Sequence, residues 1–143
     1  MITVTNIRNV DHTAYDEVWA IVRSLKDPGK MKRVPELSPS LKLFKQYLQL
    51  RNTGRWNPKA FQDLYVPTFL QEMQTAAARK KLNELVWLDR HGRCIALVCF
   101  CSDETTCHRS IVAGILQHVG TQVHGVKGDY SQYGRNYEQL TRH

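Results

Sequence analysis

The sequence predicts an α/β fold, a single compact Rossmann-like domain whose small, mostly parallel sheet is flanked by helices. Short β-rich apolar runs alternate with segments of helical pattern, and such strands pair in parallel through crossovers. The 143 residues suit one domain, and 42% hydrophobic and 23% charged residues are ordinary for a globular protein. We expect residues 1–129 to form the domain and residues 130–143 to be a C-terminal tail or short helix.

Four segments have the pattern of strands. Residues 1–7 are β-rich and alternate weakly, whereas residues 17–23 are almost continuously apolar, which suits a strand buried on both faces. Residues 93–101, RCIALVCFC, form the strongest strand pattern and are expected at the centre of the sheet. Residues 122–126 give a short last strand, and residues 26–40 are predicted to be a long irregular basic connection.

The helical segments are marked by capping residues and by proline. Ser40 is a candidate N-cap, and Asn57 with Pro58 is a typical helix start. Pro67 lies inside the helix that Asn57 begins and should kink or split it near Val66. The predicted helices cover residues 41–50, a segment from residue 58 to about 73, residues 76–88 and residues 107–119.

Charge and cysteine content restrict the class of protein. A formal net charge of +7 favours an anionic partner, such as a nucleotide or nucleic acid. No stretch approaches the roughly 20 apolar residues of a membrane span, and the start lacks a secretory pattern. The four cysteines, at positions 94, 99, 101 and 107, are clustered rather than spread as in a secreted disulfide framework. We therefore expect a cytoplasmic protein with free thiols and no membrane contact; the oligomeric state is left open.

The segment 99–110, CFCSDETTCHRS, carries the candidate catalytic residues. It follows the central strand, and the carboxyl ends of parallel strands are where such sheets bind ligands. Cys107, near a helix start that stabilises a thiolate, and Cys101, across the loop, are candidate nucleophiles. Asp103 and Glu104 could act as general acid or base, or could be solvated loop carboxylates.

His108 is a further catalytic candidate in this segment: it could carry protons near neutral pH, or could be an ordinary surface histidine.

The same segment also predicts an anion-binding site. Arg109 and Ser110 lie in the first turn of a helix whose free N–H groups favour a phosphate or carboxylate. Cys99, Cys101, Cys107 and His108 are also residue types that bind zinc, but their spacing is not a standard zinc motif. We expect neither a metal ion nor a cofactor.

Two further groups of cations are candidate nucleic-acid contacts. Arg51, Arg55 and Trp56 combine positive charge with an aromatic ring, as in proteins that stack on bases and contact phosphates. Trp56 could equally pack against the helix that begins at Asn57. The connection over residues 26–40 contributes cations that either contact nucleic acid or are solvated: Lys30, Lys32 and Arg33.

The segment LVCFCSDETTCHRSIVAGIL resembles the domain-of-unknown-function family 488, DUF488. In that family a strand is followed by an acidic loop and then by a helix that begins with Cys-His-Arg. Looser likenesses to the YeaO-like branch of that family occur in VWAIVRSLK, ELSPSLKLF and RWNPKAFQDLYVPTFLQEM. Val22 departs from the branch, which usually has Asp there, and the branch's Trp-Pro-Arg-Gly is absent. The resemblance implies a Rossmann-like domain with a polar pocket in which Arg23 joins Arg109 in holding an anion.

Three hypotheses about function follow. The first is an enzyme that acts on nucleic acid, a nucleotide or another phosphorylated small molecule, with hydrolysis of a glycosidic or phosphoester bond as the reaction. The second is a binding module that sequesters a nucleotide or sits on nucleic acid without chemistry. The third is a redox-sensing thiol pair formed by Cys101 and Cys107.

Overall fold

A computed structural model describes residues 1–141 and contains one sheet of five strands, all parallel. The strands are β1 (Ile2–Asn6), β2 (Glu17–Ala20), β3 (Lys32–Arg33), β4 (Ile95–Cys99) and β5 (Val123–His124). The helices are α1 (Leu41–Asn52), α2 (Pro58–Ala60), α3 (Val66–Glu72), α4 (Ala76–Arg90), α5 (His108–His118) and α6 (Ser131–Thr141). The strand order is β3-β2-β4-β1-β5, and helices flank the sheet. The predicted α/β, Rossmann-like fold is confirmed.

Strand β4 lies at the centre of the sheet, as its sequence predicts. It pairs with β1 on one side and with β2 on the other, and all five of its residues are buried. A run without polar residues is needed there because both faces of a central parallel strand are covered. The carboxyl ends of β1, β2 and β4 consequently lie side by side at one edge of the sheet.

Strand β3 was not expected, because it lies within the predicted irregular connection. It has only two residues, Lys32 and Arg33, and it pairs with Trp19 and Ala20 of β2. The Lys32 ammonium group lies 4.6 Å from the centre of the Trp19 ring and 3.6 Å from a carboxylate oxygen of Glu84. Charged residues are common on short edge strands, which is why the sequence pattern conceals this one.

The predicted helix starts are confirmed by their side-chain hydrogen bonds. The backbone N–H of Leu43 donates to Ser40 Oγ, and that of Ala60 donates to Asn57 Oδ1. The predicted interruption near Pro67 also exists, since a π-helical turn, Phe61–Tyr65, separates α2 from α3. Proline has no N–H group to donate. The π-helical turn places Pro67 in the first turn of α3, where a backbone N–H group has no partner within the helix.

Helix α6 covers most of the segment predicted as a tail or short helix; residues 142 and 143 lie outside the described residues. It packs on α5 through a close approach of Gly134 to that helix. None of the helices within residues 1–141 combines the length and the apolar character needed to cross a membrane.

We expect Gly134→Ala to lower the free energy of unfolding by about 1–3 kcal/mol, although alanine is the better helix former. A Cβ at Gly134 would lie 2.2 Å from His118 Cβ and 2.6 Å from the carbonyl oxygen of Gly114, so the two helices must move apart. Urea denaturation measures the change, with Gln139→Ala on the exposed part of α6 as control. Equal stability of both variants would contradict the close contact.

Candidate active site

The carboxyl ends of β1, β2 and β4 open into a cavity of about 690 Å³. Segments from four parts of the chain line it: the loops after these three strands, and the region from α1 to the π-helical turn. The cavity therefore lies where a parallel sheet is expected to bind ligands. Three kinds of side chain meet in it, namely arginines, aromatic rings and the residues of the Cys-His pair.

The arginines give the cavity a positive rim. Arg8 follows β1, Arg23 follows β2 and Arg51 lies in the last turn of α1; all three are exposed. Arg23 makes a long hydrogen bond to the carbonyl oxygen of Pro39, 3.5 Å, which leaves most of its guanidinium group available. Asp103 is the carboxylate among the lining residues, so the cations outnumber it. Such a rim attracts phosphates and carboxylates.

An aromatic wall stands beside this rim. The Tyr47 and Trp56 rings meet edge to face with their centres 4.7 Å apart, and Trp56 also lies 5.7 Å from Tyr65. Phe44 and Phe100 add exposed rings at the mouth. Trp56 lines the cavity and also packs against Phe61 of the π-helical turn, so the predicted packing on the helix that follows Asn57 is present. Burial raises the pKa of Tyr65 well above its usual value, so its phenol remains a neutral hydrogen-bond donor.

Three cysteines form a thiol cluster at the floor of the cavity. Cys99 ends β4, Cys101 lies in the following loop and Cys107 immediately precedes α5. Their sulfur atoms all lie within 4.8 Å of one another, and the sulfurs of Cys99 and Cys107 are 3.4 Å apart. Cys101 and Cys107 line the cavity, whereas Cys99 is fully buried. All four cysteines of the chain are free thiols.

The three thiols of the cluster shift one another's pKa in opposite directions. Hydrogen bonding from Cys101 and Cys107 lowers the pKa of Cys99 far below that of an ordinary thiol. Burial, followed by the interactions with Cys101 and Cys99, raises the pKa of Cys107. The pKa of Cys101 is lowered by Cys107 but raised more strongly by Cys99 and by burial, so that it lies above its usual value. Among the three thiols of the cluster, Cys99 is thus the one whose ionisation is favoured, and Cys101 and Cys107 are the ones whose ionisation is opposed.

Arg109 lies against this cluster and not in the cavity lining. It is buried, its Nη1 donates to the carbonyl oxygen of Cys101 at 2.8 Å, and it lies 3.7 Å from Cys99 Sγ. Burial lowers the pKa of Arg109, but the neighbouring thiols, Cys99 first, raise it above its usual value. The Arg109 guanidinium group therefore contacts the thiol cluster and is absent from the cavity lining, whereas Arg23 lines the cavity.

His108 is oriented as a base toward Cys107. Its Nε2 lies 2.8 Å from the carbonyl oxygen of Ile21, which can only accept, so Nε2 carries the hydrogen and donates it. The lone pair therefore belongs to Nδ1, which lies 3.6 Å from Cys107 Sγ. The ring packs against Phe69 and is buried apart from its edge at the cavity. This arrangement allows His108 to take the proton of the Cys107 thiol.

The two loop carboxylates have different positions. Glu104 is buried outside the cavity lining, where its Oε2 accepts from the backbone N–H of Lys127 at 2.9 Å and from the Tyr130 hydroxyl at 2.6 Å. This carboxylate joins the loop to the C-terminal segment and has no access to a ligand in the cavity. Asp103 is exposed at the rim, and its hydrogen bonds with Thr105 lower its pKa. An ionised Asp103 suits a base rather than an acid.

The remaining predicted residues are divided between the cavity and the outer surface. Ser110 is buried, and its hydroxyl donates to the carbonyl oxygen of Cys107, so it does not face an anion. Arg51 and Trp56 line the cavity. The other predicted nucleic-acid contacts are exposed and lie outside the cavity lining: Arg55, Lys30, Lys32 and Arg33.

Sequence reasoning missed two residues of the candidate site, Asn6 and Arg8. Asn6 Nδ2 donates to the carbonyl oxygen of Cys101 at 2.7 Å, and Asn6 Oδ1 accepts from the backbone N–H of Arg8. Asn6 therefore fixes the thiol-bearing loop and the start of the arginine-bearing loop together. Both residues lie at or just after the end of β1. Polar residues at the carboxyl end of a predicted parallel strand indicate a ligand-binding position, and this pattern could have identified them.

The fold and the site define a parallel α/β domain with a basic and aromatic pocket over a thiol cluster. A family model described as DUF488-N3a, the active DUF488-N3 subclade, matches residues 3–120, and the chain belongs to the DUF488 family. The resemblance drawn from the Cys-His-Arg segment to DUF488 is thereby confirmed. No curated protein and no solved structure matches the chain significantly.

Proposed function

We propose that this protein is an enzyme that acts on a nucleotide, either free or within a nucleic acid. One observation carries the proposal: a single cavity combines a rim of arginines, an aromatic wall and the Cys107–His108 pair. These are the parts needed to bind a phosphate, to stack on a base and to attack an electrophilic centre. The description of the matching subclade as active supports an enzyme over an inert relative.

Binding uses the rim and the wall together. The guanidinium groups of Arg8, Arg23 and Arg51 supply charge-assisted, planar donors for phosphate oxygens. The aromatic side chains offer faces and edges to a base, and this contact tolerates different bases because every base has a π-face. A nucleotide spans both features, whereas a simple phosphate would leave the aromatic wall uncovered.

We assign nucleophilic displacement to Cys107, because it lines the cavity beside His108, whereas Cys99, the thiol with the lowered pKa, is fully buried outside the cavity lining. When His108 Nδ1 takes the thiol proton, the sulfur can attack phosphorus or the anomeric carbon of a nucleotide, and the departing group takes the proton back. Water then attacks the covalent intermediate, with His108 again accepting a proton, and restores the thiol. The reaction is thus hydrolysis of a phosphoester or glycosidic bond, and the mass of the product identifies which.

The test is a panel of nucleotides, RNA, and single- and double-stranded DNA, incubated with the protein and analysed by mass spectrometry. We expect one product, and we expect Arg51→Ala to weaken binding of that substrate by about 10–100-fold, through loss of a charged hydrogen bond. Arg55→Ala is the matched control, because this exposed arginine lies four residues away and outside the cavity lining. Equal effects of the two variants would show that the cavity is not the binding site.

The two alternative hypotheses predict other outcomes of the same panel. A binding module would retain a nucleotide without forming any product, and its affinity would fall with salt. For a redox sensor the geometry adds a second pair to the expected Cys101 and Cys107, since the sulfurs of Cys99 and Cys107 are 3.4 Å apart. Mild oxidation would then join Cys107 to either Cys99 or Cys101, and peptide mapping identifies which.

A further inference from the structure

We propose that the thiol cluster of Cys99, Cys101 and Cys107 is a binding site for one thiophilic divalent cation, with zinc as its representative. This goes beyond the proposed function, which requires no metal ion, and it differs from the sequence-based expectation that none is bound. The three sulfurs are the ligands, and the fourth position of the ion faces the cavity.

The positions of the sulfur atoms suit such an ion. Zinc bonds to thiolate sulfur at about 2.3 Å, so two sulfurs of a tetrahedral site lie roughly 3.8 Å apart. The sulfurs of Cys99 and Cys107 are 3.4 Å apart, and all three lie within 4.8 Å of one another. The triangle is therefore formed before any ion arrives, and small side-chain rotations complete it.

The backbone holds this triangle in place. Cys99 is hydrogen-bonded into the central strand, and the carbonyl oxygen of Cys101 accepts from both Asn6 and Arg109. Cys107 precedes α5 directly, and its carbonyl oxygen accepts from the Ser110 hydroxyl. Binding an ion consequently requires little ordering of the chain, which favours affinity.

Charge balance selects a divalent ion. Three thiolates around a divalent cation leave one net negative charge, and a buried charge requires a partner. The Arg109 guanidinium group, 3.7 Å from Cys99 Sγ and buried, supplies the compensating positive charge. A monovalent ion in the same triangle would leave an excess of negative charge, and a trivalent ion would leave an excess of positive charge.

The site has an entry path and an open coordination position. Cys101 and Cys107 line the cavity, so an ion reaches the sulfurs from that side and water or a ligand completes its coordination. His108 Nδ1 lies 3.6 Å from Cys107 Sγ beside this position, and its other ring nitrogen donates to the Ile21 carbonyl. Three protein ligands and one open position are the pattern of an accessible rather than a closed zinc site.

An ion held in this way would block the proposed reaction. Its bond to Cys107 uses the sulfur lone pair with which the thiolate attacks, so the metal-loaded and metal-free proteins are two chemical states of one pocket. We therefore expect zinc to inhibit turnover, and a chelator to restore it.

The test begins with binding, which does not depend on turnover. The fully reduced, metal-free protein is titrated with Co²⁺, and zinc affinity is measured by competition with a chromophoric chelator. We expect one ion per chain and intense sulfur-to-cobalt charge-transfer absorption. The serine variants of Cys99, Cys101 and Cys107 should each lose more than about 100-fold in zinc affinity, since replacing a residue that only hydrogen-bonds to a metal ligand already costs roughly 10–100-fold.

Cys94→Ser is the matched control, because Cys94 is the fourth cysteine of the chain and lies outside the thiol cluster. It should bind zinc as the unsubstituted protein does. For any variant that fails to fold, alkylation of the unsubstituted protein provides the second measurement: zinc should protect Cys101 and Cys107, which line the cavity, and leave Cys94 reactive. Absence of binding, or an equal loss in Cys94→Ser, would overturn the proposal.

One further variant separates this inference from the proposed function. Arg51→Ala should bind zinc normally, because Arg51 contributes to the rim of the cavity and not to the thiol cluster. Zinc binding without any nucleotide product would refute the proposed function alone. A nucleotide product with no zinc binding would refute the metal site alone.

Discussion

Replacement of Cys107 by serine is expected to lower turnover of the nucleotide substrate by roughly 10³-fold or more, with nucleotide affinity changed by no more than about twofold. The hydroxyl group is close to the thiol in size, so the arginine rim and the aromatic wall are undisturbed. The pKa of a serine hydroxyl is much higher than that of a cysteine thiol. His108 Nδ1, which lies 3.6 Å from the Cys107 sulfur, therefore cannot generate a comparable nucleophile from the serine. Single-turnover kinetics and equilibrium binding on the same variant separate the two effects.

Two other cysteines make the result specific to Cys107. Cys94→Ser should leave turnover unchanged, because this half-buried thiol lies outside the cavity lining. Cys101→Ser tests the competing nucleophile, since Cys101 also lines the cavity. If Cys101→Ser abolished turnover and Cys107→Ser did not, the nucleophile would be Cys101, and His108 would have no direct part in generating it.

Arg109→Gln is expected to reduce the free energy of unfolding by about 2–4 kcal/mol near neutral pH. Arg109 is a buried cation beside the thiol cluster, and loss of one partner of a buried charged interaction typically costs roughly 3–5 kcal/mol, part of which is recovered when a neighbouring thiol takes up a proton. Glutamine can still donate a hydrogen bond toward the carbonyl oxygen of Cys101. The decrease in the free energy of unfolding therefore measures mainly the loss of the positive charge of Arg109. Urea denaturation under reducing conditions measures it.

Arg23→Gln provides the control for stability. Arg23 is an exposed cation of the cavity rim, and we expect its replacement to change the free energy of unfolding by less than about 0.5 kcal/mol. The two variants should therefore show opposite behaviour, with Arg109→Gln affecting stability and Arg23→Gln affecting ligand binding. If Arg109→Gln were as stable as the unsubstituted protein but unable to bind the ligand, Arg109 would be a ligand-binding residue, as the sequence predicted.

Much of the fold could be predicted because local signals and burial agree. The apolar run before Phe100 has the composition of a central strand, and Ser40 and Asn57 each cap the helix expected of them. Strand β3 could not be predicted, since a pair of charged residues at a sheet edge has no apolar pattern. The order of the strands is likewise set by pairing between distant segments, which no local pattern encodes.

The candidate site was only partly predictable for a different reason. The Cys-His-Arg segment at a strand end correctly indicated where the pocket lies, because strand ends of parallel sheets converge. The direction of each side chain was not indicated. Arg109 points to the thiol cluster and Glu104 to the C-terminal segment, although both are charged residues of the same short segment. Arg8 enters the pocket from a distant part of the chain through the pairing of β1 with β4.

The hydrogen bonds of Glu104 have a consequence for how this fold can change over evolution. The match to the family ends at residue 120, yet Glu104 holds the backbone of Lys127 and the hydroxyl of Tyr130, and α6 continues from there onto α5. The loop that presents Cys101 is thus braced from behind by a part of the chain that the shared family region does not include. Substitutions in this extension can therefore change the support of the Cys101 loop without altering a residue that lines the pocket.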